Sequence, residues 1–76
     1  MRPIKISDWT HADQAEWLTE SITRLRARAA ECDAERDTQT AYNFRRAADH
    51  MEVAIASGDP SAIYAWFTRA FDGKHV

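Results

Sequence analysis

Five arginines are the side chains best suited to chemistry in this chain. Arg24, Arg26 and Arg28 lie together, and Arg45 and Arg46 form a second pair further on. Guanidinium groups hold carboxylates and phosphates through paired hydrogen bonds, so helices that gathered these five would build an anion or nucleotide pocket. Glu20, Glu31, Glu35, Asp49 and Glu52 stand near enough in sequence to pair with most of them. A solvated, ion-paired face is therefore the expectation.

The remaining chemistry is thin. His11, His50 and His75 are far apart, and none has a second histidine one helical turn away. His50 sits beside Asp49 and Glu52, but these positions point in different directions on a helix, so no metal site is expected. There is no Ser, Cys or Lys nucleophile with an adjacent base, no glycine-rich phosphate loop and no pair of carboxylates in an apolar setting. Two glycines leave little backbone for an active-site loop. The single cysteine, Cys32, has no disulfide partner and reads as a small hydrophobe on a helix. These features predict a protein that is not an enzyme and holds no cofactor or metal.

Aromatic residues carry more information. Trp9, Trp17, Tyr42, Phe44, Tyr64, Trp66, Phe67 and Phe71 are many for 76 residues. Trp17 falls one residue before the apolar stripe position Leu18, about 100 degrees around a helix, and Tyr64 and Phe71 share a face other than that of Ile63 and Phe67. Exposed Trp and Tyr with nearby Arg is the composition of an interface hot spot. Trp17, Arg24, Arg28, Tyr64 and Phe71 are thus the candidate protein-binding residues. A structural alternative has Trp17 covering the N-terminal arm and Phe71 capping the end of a bundle.

The elements that position these groups follow from periodicity. Ala15, Leu18, Ile22, Leu25, Ala29 and Cys32 recur at steps of three and four, making one apolar stripe on a helix. Thr10 is a good cap with Asp13 three residues on, so the first helix is predicted over 10–35. The next apolar set, Ala41, Phe44, Ala48, Met51 and Ile55, is out of phase with the first by about 200 degrees. A break near 33–39 follows, with Asp37 or Thr38 capping a second helix over 38–57; one long bent helix is the alternative.

Ser57-Gly58-Asp59-Pro60 is a strong boundary, with Gly58 suited to a left-handed cap and Pro60 to a first helical turn. A third helix is predicted over 60–72, closing at Gly73, with residues 74–76 frayed. Residues 1–9 read as a short extended arm, since Pro3 disfavours helix and Ile4 and Ile6 alternate with Lys5 and Ser7. The predicted fold is all-α, a single-domain small helical bundle of two long antiparallel helices plus a short C-terminal helix.

Residues 58–71, GDPSAIYAWFTRAF, resemble the turn and recognition helix of helix-turn-helix DNA-binding proteins. The resemblance implies a nucleic-acid or nucleotide-binding regulator that uses segment 53–72 with Arg45, Arg46 and Arg69. In this chain Asp59 and Pro60 stand where that motif has an apolar residue, and Arg69 is the one strong phosphate or base-edge donor on the helix.

The totals weigh against nucleic acid. Ten Lys and Arg against twelve Asp and Glu give a net charge of −2, so no long-range field draws in a polyanion. No apolar run suits a membrane span and no signal peptide is evident, which makes a bacterial or viral cytoplasm the expected address. A chain this short buries only roughly 60 per cent of its unfolded surface, and self-association into a homodimer is the expected remedy. The expected function is that of a non-enzymatic protein-binding module. In size and style it is similar to the small inhibitors and adaptors of phages and mobile elements, anti-CRISPR proteins among them, a similarity that implies action by occluding a target surface.

Overall fold

A computed structural model describes residues 3–74. The expected fraying at the C-terminus falls partly on residues 75 and 76, which lie outside the described residues, as do the first two residues of the arm. The protein is an all-α bundle of three helices: α1, His11–Ala34; α2, Thr38–Ser57; and α3, Pro60–Lys74. A single 3-10 turn, Ile6–Asp8, precedes them. This corrects the extended arm. The turn closes through the amides of Asp8 and Trp9, which donate to the carbonyls of Lys5 and Ile6, each at 3.0 Å. Trp9 Nε1 then donates to the Pro3 carbonyl at 2.8 Å, so the segment is folded back on itself, while Ile4 stays fully exposed.

Each helix boundary has a local cause. At the start of α1 the amide of Asp13 donates to Thr10 Oγ1 and the amide of Thr10 donates to Asp13 Oδ2, a reciprocal capping box at 3.2 and 3.0 Å. The end of α1 is less ordinary. The Asp37 amide donates to the Cys32 carbonyl at 2.8 Å and the Arg36 amide to that of Asp33 at 3.0 Å, the two bonds of a Schellman turn. That turn needs a left-handed residue, and Arg36 takes it with φ 64°. The out-of-phase apolar sets are therefore joined by a sharp reversal, and the single bent helix is excluded. Asp37 caps α2 by accepting from the Thr40 amide at 3.2 Å.

Gly58, with φ 69°, closes α2, and Asp59 caps α3 by accepting from the Ser61 amide at 3.0 Å. Pro60 occupies the first turn of α3, where its missing amide proton costs nothing. The helix runs through Gly73 to Lys74, two residues beyond the expected end at 72. Phe71, packed on Trp9, Trp17 and Phe67, anchors that last turn.

The two long helices are antiparallel, as the cross-links Arg26 to Asp49 and Glu52, and Asp33 to Arg45, require. Both apolar stripes face inward: Leu18, Ala29, Ala41 and Ala48 have no exposed surface. α3 crosses one end only and contributes Ile63 and Phe67 to a core with Trp17, Leu18, Ile22, Ala48 and Met51. At 1.5 Å per residue α1 is about 36 Å long and α3 about 22 Å, so the far half of the α1–α2 hairpin has no third helix over it. The principal extents, 40 × 25 × 20 Å, reflect that elongation. Among the described residues, no helix is long and apolar enough to cross a membrane.

Candidate protein-binding surfaces

Two of the candidate contact residues are structural. Trp17 is only 6% exposed, with its ring edge-on to Phe67 at 5.5 Å and tilted against Phe71 at 5.5 Å. Trp9 covers the same cluster, 5.1 Å from Phe67 and 6.3 Å from Phe71. The 100 degrees between Trp17 and the stripe do not expose it, because α3 packs on that side of α1. Phe71 is half-buried for the same reason. It lies two helical turns beyond Tyr64 on the same side of α3, where Trp9 and Trp17 cover it, whereas Tyr64 remains 55% exposed.

The charged flanks of α1 have different fates. On one flank Arg26 bridges to Asp49 Oδ1 and Glu52 Oε2, each at 3.2 Å, and Asp33 accepts from Arg45. The hydrogen bonds to Glu52 and Asp49 raise the Arg26 pKa above its ordinary value, and that to Asp33 does the same for Arg45. These exposed pairs span α1 and α2 in antiparallel order. On the other flank Arg24, Arg28, Glu31 and Glu35 are exposed. Arg24 donates to Ser21 Oγ at 3.0 Å and lies 5.8 Å from the centre of the Trp17 ring. Among the described residues, none of these four has an ion-pair partner.

Arg24 and Arg28 rim an open groove of about 440 Å³ that runs between α1 and α2 where α3 ends. Leu25, Phe44, Met51 and Ala70 form its apolar part. Leu25, Phe44 and, further along, Cys32 are half-buried. Burial, with the Asp37 and Glu35 carboxylates behind it, pushes the Cys32 thiol pKa up. The groove therefore unites Arg24 and Arg28 with the edge of Trp17, but not with Tyr64 or Phe71.

A second surface lies on the outer side of α2 and α3. His50 lines two adjoining clefts, one of about 340 Å³ with Tyr42, Arg45 and Arg46, the other of about 480 Å³ with Val53, Asp59 and Trp66. The Trp66 ring is 6.0 Å from His50, and the Arg69 guanidinium stacks 5.2 Å from its centre. Val53 is 68% exposed and Tyr42 55%. All three arginines named for nucleic-acid binding border this surface, Arg45 and Arg46 in the smaller cleft and Arg69 on Trp66, with Arg45 also paired to Asp33. Sequence reasoning named Tyr42, His50 and Trp66 without placing them on a binding surface, and did not name Val53. The legible signal was the spacing of Tyr42, Arg46, His50 and Val53, one helical turn apart on the face opposite the α2 core stripe.

Among the described residues, no group of three His, Cys, Asp or Glu could hold a metal ion. No family model, no curated protein and no solved structure matches the chain, so its reading rests on its own residues.

Proposed function

We propose that this chain is a non-enzymatic protein-binding module, homodimeric in its working state, that acts as an inhibitor or adaptor by covering a surface of its partner. The observation that carries the reading is Trp66, held between His50 and Arg69 beside an exposed Val53. A partly exposed tryptophan with an arginine stacked on it and an aliphatic neighbour is the make-up of an interface anchor. Arg46 and Arg69 have no carboxylate partner among the described residues, so the complementary surface is one that offers an apolar side chain with acidic groups around it.

The second reading, a nucleic-acid-binding regulator, is favoured by those same two arginines lying near Tyr42 and Trp66, on which bases could stack. One experiment separates them. Tagged protein and its Trp66→Ala and Arg69→Glu variants are incubated with bacterial lysate, and the retained material is analysed for protein and for nucleic acid at rising salt. The protein reading expects a defined protein, held through moderate salt by the native chain and weakened about 30-fold by Trp66→Ala. Recovery of nucleic acid alone, lost steeply with salt, establishes the second reading instead.

A further inference from the structure

The other flank of α1 carries a charge pattern that no ion pair among the described residues answers. Arg24, Arg28, Glu31 and Glu35 follow at spacings of four, three and four, so all four lie along one side of the helix. Read in reverse order the signs are inverted about a centre between Ala29 and Ala30. Two copies of α1 laid antiparallel across that centre set Arg24 opposite Glu35 of the second copy, and Arg28 opposite its Glu31. The same pairs recur on the other side, as a two-fold axis requires.

The position of this flank strengthens the argument. On the opposite flank Arg26 and Asp33 are already taken up by pairing with α2. The groove beside Arg24 and Arg28 opens where α3 ends, with Leu25 and Phe44 left half-buried. The far half of the hairpin lacks the third helix that covers the near half.

We infer that a second copy of this chain occupies that place: α1 packs antiparallel on α1 of its twin through Arg24, Arg28, Glu31 and Glu35, and the two hairpins join as a four-helix bundle over Leu25 and Phe44. This inference rests on the homodimeric state proposed above and gives it an interface. It leaves the Trp66 surface of each copy outward, so the assembly presents that surface twice, and two linked sites raise avidity without any new contact.

Complementary charge reversal tests it. Light scattering of the native chain, of the Arg24→Glu/Arg28→Glu variant and of the Glu31→Arg/Glu35→Arg variant gives the mass of each, with circular dichroism confirming that helix content is kept. The native chain is expected at twice its 8.7 kDa mass. Each variant alone sets like charges against each other and is expected to dissociate about 100-fold more readily. An equimolar mixture of the two restores the pairs and the doubled mass. A native chain that scatters as a monomer overturns both the homodimer and this interface. A native dimer whose variants, although helical, remain equally dimeric overturns the interface alone, as does a mixture that fails to recover.

Discussion

Arg36 occupies a backbone conformation that its side chain does not favour, and the cost can be measured. The left-handed region places Cβ against the following carbonyl, at about 1–2 kcal/mol for an L residue. Glycine escapes this penalty but gives the unfolded chain more freedom, which takes back about 0.4–1 kcal/mol. Arg36→Gly should therefore stabilise the protein by about 0.5–1 kcal/mol, a rise in Tm of about 3–6 °C for a domain of this size. The native structure already holds the reference experiment. Gly58 closes α2 at φ 69°, and a Cβ added there meets no atom within 4 Å. Gly58→Ala thus isolates the backbone cost and should lose about 1 kcal/mol. Arg36→Ala keeps the Cβ and removes only the guanidinium, and its Tm should match that of the native chain. All four proteins are melted at one chain concentration, because association shifts Tm. An Arg36→Gly variant that melts at or below the native temperature refutes the reasoning, since the Schellman turn would then not be strained by its arginine.

Three further outcomes are expected. Phe67 is 1% exposed at the centre of the aromatic cluster, and Phe67→Ala should cost about 3–5 kcal/mol, leaving the far-UV melt broad or absent. Gln14 is buried with its Oε1 lacking any hydrogen-bond partner, and its Nε2 reaches the Trp9 carbonyl only at 3.5 Å. Gln14→Met fills the same space without the orphaned acceptor and should gain about 1 kcal/mol in urea denaturation. Burial raises the Cys32 pKa above its ordinary 9.0, so the native thiol should alkylate more slowly at pH 8 than the same thiol in denaturant. The sign for stability follows: the folded state holds its proton longer than the unfolded one, so this group's contribution declines as pH rises past 9.0.

The helices, their order and their caps were legible because each rested on a local signal. Thr10 with Asp13, Asp37, and Gly58-Asp59-Pro60 act within one turn of chain, and the apolar stripes repeat often enough to set their own phase. The reversal after α1 was legible only as a phase jump, since Arg36 stands where glycine normally announces such a turn. What could not be read was which side of α1 would receive α3. That choice buries Trp17 and leaves Phe71 and Trp66 each half-buried, Phe71 against Trp9 and Trp17 and Trp66 beside His50 and Arg69, and it depends on three segments meeting at once. The short N-terminal segment was misjudged for a similar reason. Alternating Ile4 and Ile6 suggests extension, but the indole of Trp9 bonding back to Pro3 decides its path.

Ala29, Ala41 and Ala48, fully enclosed between α1 and α2, bring the helix axes close while offering little area to hold them there. Cohesion in this molecule is thus lopsided, dense around Trp9, Trp17 and Phe67 and sparse towards the Arg36 reversal. The long hairpin behaves as a pair of tweezers gripped at its aromatic end. Amide protons near the tip are expected to exchange ahead of those around Leu18, and on warming the arms are expected to part before the grip dissolves.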